Sequence, residues 1–162
     1  MNKLFTLFFA VAILFTACRG RDGEIGPQGP VGEVGYIEDF VVPPFTSAND
    51  YRQSFFITSN VQLQEQDVMV AYIKVGEDNN REIWEPLPST VFFTNGDILQ
   101  YKFDYTSEDV QFYLDGNFDL NTLTALYTDD IIFRVAYIPG ELVNSVNLDN
   151  HQEVMETLGY KF

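Results

Sequence analysis

The chain has 162 residues, with 24 acidic and 9 basic side chains, a formal net charge of −15, one cysteine and one histidine. Residues 36–162 carry this whole excess of negative charge, because three acidic and three basic side chains cancel before them. So acidic a surface repels phosphates, which excludes nucleic acid as a partner. One cysteine and one histidine are too few for an intrachain disulfide, a zinc site of the usual kind or thiol catalysis.

The chain begins with the features of a secretory signal. Lys3 precedes an uncharged, apolar stretch over residues 4–17, which is too short for a transmembrane helix of about 20 residues. Thr16 and Ala17 are small and stand directly before Cys18. This arrangement resembles the lipobox of bacterial lipoproteins, which implies that residues 1–17 are removed and that Cys18 is lipidated. A plain secreted protein with a free thiol is the alternative.

Two neighbours of this motif carry further information. Phe15 occupies a place where the lipobox usually has Leu, Val or Ile. Arg19 follows the cysteine, where an Asp would resemble the retention signal of the inner membrane. The resemblance therefore implies an anchor in the outer membrane, and it leaves open whether the protein faces the periplasm or the cell surface.

Residues 18–35 contain a collagen-like repeat. Glycine recurs at every third position, at Gly20, Gly23, Gly26, Gly29, Gly32 and Gly35. Such spacing is the collagen pattern, but so few triplets with little proline favour an extended spacer over a persistent triple helix. The combination resembles Gram-negative lipoproteins that carry collagen-like repeats before a small globular domain, a group that is mostly without known activity. We expect the isolated body to be a monomer.

Residues 36–162 are expected to form one all-β domain. Alternation of apolar and polar residues predicts strands with one wet face, and two continuous apolar runs, 68–75 and 131–138, predict central strands buried on both faces. The further predicted strands are 36–42, 53–58, 82–84, 90–94, 97–105 and 110–114. Short strands at this spacing predict an antiparallel β-sandwich or jelly-roll-like domain. One short C-terminal helix is expected, capped by Asp149 or Asn150 and stopped by Gly159.

The residues that could carry chemistry are few. His151 stands at the predicted helix start, where we expect it to be solvated, so a hydrolytic triad lacks its base. Trp84 lies between charges and beside a proline, and it either stacks on a sugar ring or packs in the core, the core being favoured.

A second candidate is an oxygen-rich loop. Asp115, Asn117, Asp119 and Asn121 stand two residues apart, a spacing that lets their oxygens converge on calcium. The loop departs from the EF-hand pattern at Leu120 and Leu126, and an Asp115–Gly116 hairpin turn is the favoured alternative. We therefore expect no cofactor, with calcium as the exception that this loop leaves open.

The sequence predicts a lipid-anchored envelope protein with a binding or structural role, and not an enzyme. The membrane is its predicted partner through the lipid, and a glycan or a protein is a possible ligand. Two alternatives stay open. One is a glycan hydrolase that uses two carboxylates, and the other is a trimeric module that joins a stalk to a head.

Overall fold

The structure is a computed structural model that describes residues 35–57 and 63–160. The predicted signal, Cys18 and all but the last of the repeated glycines lie outside the described residues. The strands of the described part are β1 (Tyr36–Val41), β2 (Arg52–Phe56), β3 (Val68–Asp78), β4 (Arg81–Pro86), β5 (Ser89–Phe92), β6 (Ile98–Tyr105), β7 (Asp109–Gly116) and β8 (Ile132–Ile138).

These strands form two antiparallel four-stranded sheets. Sheet A has the order β1-β8-β3-β4, and sheet B has the order β2-β7-β6-β5. The first strand therefore pairs with the last, Tyr36 opposite Tyr137, and β2 pairs with β7. The prediction of an all-β antiparallel sandwich is confirmed.

Aromatic side chains from both sheets fill the space between them. Phe112 of β7 stacks on Phe133 of β8 with ring centroids 4.2 Å apart, and Phe40 of β1 contacts Phe112 at 5.7 Å. Leu99 and Tyr101 come from β6 into the same cluster. Period-two alternation places these residues on the inner faces, and burial of aromatic and aliphatic surface stabilises a domain that has no disulfide.

The C-terminal segment covers the outer face of sheet A. The helix there runs over His151–Thr157, and its Val154 and Met155 pack against Tyr72, Ala136 and Ile138 of β3 and β8. The two central strands of sheet A, β8 and β3, are therefore covered on both faces, which explains their continuous apolar runs. The two predicted doubly buried strands are confirmed, although β3 becomes exposed from Val75 onwards.

The outer face of sheet B is polar. Gln100 and Lys102 of β6 and Gln111 and Asp115 of β7 point outward, as the alternation predicts. Lys102 pairs with Asp115 at 2.6 Å. The sandwich thus has one outer face covered by the chain's own C-terminal segment and one that is wet.

Two turns have the residues that their backbone geometry requires. Asn79 and Asn80, both with positive φ, join β3 to β4, and Gly96 with φ +92° closes the β5–β6 turn. The predicted Asp115–Gly116 hairpin turn is wrong. Both residues end β7, opposite Gln100 and Leu99, because β7 continues in register to the end of its partner before the chain returns to sheet A.

Short helical segments occupy the connections. Besides the C-terminal helix they are the 3-10 helices Ser47–Asn49 and Leu120–Thr122 and the single turns α1 (Ala125–Thr128) and α2 (Gly140–Val143), so the C-terminal helix is α3. The Asn150 side chain caps α3 by accepting from the Glu153 amide, and Gly159 follows its end with φ +78°. No helix among the described residues has the length and apolar character to cross a bilayer.

Candidate functional site

The most densely charged and aromatic part of the domain lies on the outer face of sheet A. Arg134 of β8 is almost fully buried there, and its guanidinium donates to both oxygens of Asp39 at 2.7 and 2.8 Å. It also lies over the Trp84 ring at 4.1 Å and over the Tyr160 ring at 5.3 Å. We call this set the Arg134 cluster, and its members are Asp39, Glu82, Trp84, Arg134, His151 and Tyr160.

His151 belongs to this cluster, so the expectation that it is solvated was wrong. Its ring stacks on Trp84 with centroids 5.5 Å apart and meets Tyr72 edge-on at 4.9 Å. Burial and, to a smaller extent, the nearby Arg134 cation together lower the pKa of His151 to about 4. The reason is tertiary: the first residue of α3 lies against the sheet because Val154 and Met155 anchor the helix there.

Trp84 is a structural residue in this arrangement. It is half-buried, and the cation of Arg134 and the ring of His151 both pack on its indole. A sugar ring would compete with these contacts for the indole surface. The favoured prediction placed Trp84 in the core. The structure packs it within the protein, under α3 and outside the core between the sheets.

The four residues of the predicted calcium loop have different hydrogen-bond and ion-pair partners. Asp115 pairs with Lys102, which lowers the pKa of its carboxyl. Asn117 accepts from the Ile98 amide at 2.7 Å. Asp115 thereby connects the end of β7 to the middle of β6, and Asn117 connects the residue after β7 to the first residue of β6, so the two side chains have different partners.

The second half of that loop caps a 3-10 helix. Asp119 accepts from the Asn121 backbone amide at 3.0 Å and from its side-chain amide at 2.8 Å. These bonds lower the pKa of Asp119. Asn121 in turn accepts from the Tyr51 hydroxyl at 2.9 Å. Across the ranges that the structure describes, no three acidic, histidine or cysteine side chains are grouped closely enough to hold a metal ion.

An open cleft of about 400 Å³ lies beside this loop, at one end of the sandwich. We call it the end cleft. Its aromatic floor is formed by Phe93, Phe118 and Tyr127, with Phe93 contacting the other two edge-on at 5.7 and 5.2 Å. The other residues that line it are Thr94, Asn95, Asp97, Thr122, Leu123 and Thr124.

Several polar atoms of the end cleft are uncommitted, which means that they have no hydrogen-bond partner among the described residues. The hydroxyls of Thr94, Thr124 and Tyr127 make no hydrogen bond to any described residue. Asp97 accepts from Asn95 with Oδ2 at 2.7 Å, which leaves Oδ1 open. A concave surface with an apolar floor and a few convergent polar groups is the usual form of a ligand site.

Sequence reasoning did not find this cleft. The Asn95–Gly96 turn signal marked one of its walls, but Phe118, Thr124 and Tyr127 stand in a connection that no periodic pattern describes. Their convergence depends on the tertiary path: the Tyr127 carbonyl accepts from the Tyr101 hydroxyl, and the Thr128 carbonyl accepts from the Phe45 amide. These bonds hold the segment across the open end of the sandwich.

The end cleft lies far from the point at which the chain enters the domain. The strand β1 starts at Tyr36, whose partner Tyr137 also pairs with Met69. The Met69 amide donates to the Tyr105 hydroxyl at the last residue of β6, whereas Asp97 of the cleft directly precedes the first. The length of β6, roughly 24 Å at 3.4 Å per residue, therefore separates the two ends.

A fold of this kind is shared by proteins of many activities, so the function of this chain depends on its sites, the end cleft and the Arg134 cluster, and not on the sandwich itself. The comparisons add no relative from which a function could be transferred. No protein-family model, no curated protein and no solved structure matches this chain.

Proposed function

We propose that this chain is a lipid-anchored protein of the bacterial cell envelope whose β-sandwich binds a ligand in the end cleft. The observation that carries the proposal is the position of the cleft. The chain enters the domain at Tyr36, and the cleft opens at the opposite end of β6. The strand through which the chain enters the domain thus leaves the end cleft open to a ligand.

The lining of the end cleft supports binding over hydrolysis. Among the described residues, Asp97 is the one carboxylate that lines it, whereas glycoside hydrolysis ordinarily needs two carboxyl groups facing one bond. The hydrolase alternative would need a second acid brought in from outside the cleft. A monomeric binding domain is our proposal, and the trimeric module stays the alternative to it.

The anchor is tested by replacing Cys18 with Ser. Without the thiol no lipid can be attached, so we expect the variant to be left as an uncut precursor that carries no acyl mass. Mass spectrometry of the membrane fraction gives the answer for the wild-type chain. A mature wild-type protein with an unmodified peptide across Ala17 and Arg21 would overturn the lipid anchor.

The cleft is tested by blocking it. Because Cys18 is the only cysteine and its thiol would be acylated, Thr124→Cys introduces a unique reactive thiol at the cleft, and Thr157→Cys introduces one on α3 as the control. Each is labelled with a bulky maleimide, immobilised and exposed to isolated envelope polymers. We expect the label at residue 124 alone to abolish retention. Equal retention by both labelled proteins would contradict a ligand site in the end cleft.

A further inference from the structure

The floor of the end cleft is aromatic. Phe93 meets Phe118 and Tyr127 edge-on with centroids 5.7 and 5.2 Å away, so one half-buried ring contacts the other two. An apolar floor of this kind suits a ligand that has an apolar face and polar edges. A pyranose ring has this character, because its C–H groups form faces and its hydroxyls form the rim.

The rim of the cleft offers the matching hydrogen-bond groups. The uncommitted hydroxyls of Thr94, Thr124 and Tyr127 can each donate and accept, as the hydroxyls of a sugar also do. The open Oδ1 of Asp97 accepts only, and its carboxylate makes a charge-assisted bond to a sugar hydroxyl. We infer that the end cleft binds a neutral carbohydrate, an inference that rests on the proposed function.

Two other ligand classes fit the same residues less well. An anionic sugar or a phosphate would face Asp97 with no lysine or arginine among the lining residues, in a chain of net charge −15. A quaternary ammonium can lie against aromatic rings, but it makes no hydrogen bond and would leave the three hydroxyls of the rim without a ligand partner. The rim therefore favours a neutral ligand that carries several hydroxyls.

The test is calorimetric titration of the full chain, held in detergent micelles, with a panel of neutral hexasaccharides of glucose, mannose, xylose and N-acetylglucosamine. The variants are Thr124→Val and Tyr127→Phe, which each remove one uncommitted hydroxyl and keep the shape of the side chain. Thr157→Val makes the same change on α3. We expect at least one hexasaccharide to bind, with Kd raised about 5- to 10-fold by each cleft variant and unchanged in the control.

Each other outcome overturns the inference. Binding of choline, or of an acidic hexasaccharide such as oligogalacturonate, in preference to all neutral sugars would assign the cleft to another ligand class. Neutral-sugar binding that Thr124→Val and Tyr127→Phe leave unchanged would place the sugar elsewhere. If no neutral sugar binds but the maleimide at residue 124 still blocks retention of envelope polymers, the inference fails and the proposed function stands; if neither occurs, both fail.

Discussion

The Arg134 cluster and the end cleft are built from similar residues and differ in what those residues contact. In the cluster, Arg134 is paired with Asp39, and its cation lies against Trp84. In the cleft, half-buried aromatic rings lie beside hydroxyls and a carboxylate oxygen that have no hydrogen-bond partner among the described residues. A group of aromatic and polar side chains marks a ligand site only where its interactions remain open to a ligand.

The difference follows from the C-terminal segment. The helix α3 lies on the outer face of sheet A, so the aromatic and charged residues of that face serve to hold it. No comparable segment of the described chain covers the aromatic floor of the end cleft, which is formed by Phe93, Phe118 and Tyr127. The cluster should therefore affect stability and leave binding intact, whereas the cleft should affect binding and leave stability intact.

The largest effect is expected from Arg134→Met. Removing a buried guanidinium leaves Asp39 without its cation and takes away the packing against Trp84, whereas Glu82 keeps its pair with Lys74. We expect the free energy of unfolding to fall by about 2–4 kcal/mol. Urea denaturation followed by the fluorescence of Trp84, the only tryptophan, measures it.

Matched controls sharpen this comparison. Arg81→Ala removes an exposed arginine from the β3–β4 turn, and Thr124→Val changes the cleft; each should alter the free energy of unfolding by less than about 0.5 kcal/mol. A loss from Thr124→Val as large as that from Arg134→Met would mean that the cleft is a structural contact like the cluster. The contrast between the two regions would then disappear.

The next effect is a pH dependence that originates in the cluster. Folding lowers the pKa of His151 to about 4 from an unfolded value of about 6.5. The unfolded chain therefore binds more protons between these two values, and the stability that His151 contributes is present above pH 6.5 and lost as the pH falls toward 4. His151→Phe retains an aromatic ring beside Trp84 and Tyr72 and removes the titration.

This effect is measured as the difference between the two proteins. Lowering the pH also reduces the self-repulsion of the acidic chain, which raises the stability of both. We expect the free energy of unfolding of the wild type, relative to His151→Phe, to fall by on the order of 1 kcal/mol between pH 6.5 and pH 4, after allowance for solvent screening. A constant difference across this range would contradict the burial of His151 in the cluster.

The smallest effect concerns the loop beside the cleft. Its four oxygen-bearing residues already have partners, so calcium at millimolar concentration should raise the melting temperature no more than sodium chloride of equal ionic strength. Asp119→Ala should lower the melting temperature by a few degrees at most through loss of the cap to Asn121.

Thermal melts of the wild type and Asp119→Ala, each in both salts, provide the measurement. An increase that is specific to calcium and absent from Asp119→Ala would make this loop a metal site. The end cleft would then have to be reinterpreted as the neighbourhood of a bound cation. Equal increases in the two salts would agree with the partners that the structure gives to Asp115, Asn117 and Asp119.

The fold class was predictable because it depends on local patterns. Alternation in β6 and β7 determines which side chains face the core, and a one-residue shift would expose every one of them. The apolar runs of β3 and β8 correctly predicted strands that are covered on both faces. Asn150 and Gly159 marked the ends of α3, because caps satisfy backbone groups within a single turn.

What the sequence alone determined is thus the strands, the last helix and the acidic character of the chain. The positions of His151, Trp84 and Tyr127 were decided by the tertiary structure. His151 is half-buried because α3 packs on sheet A, and Tyr127 reaches the cleft because hydrogen bonds hold its segment to β6 and to Phe45. Contacts between residues so far apart leave no periodic signal, since each depends on how two layers meet and not on the order of neighbouring side chains.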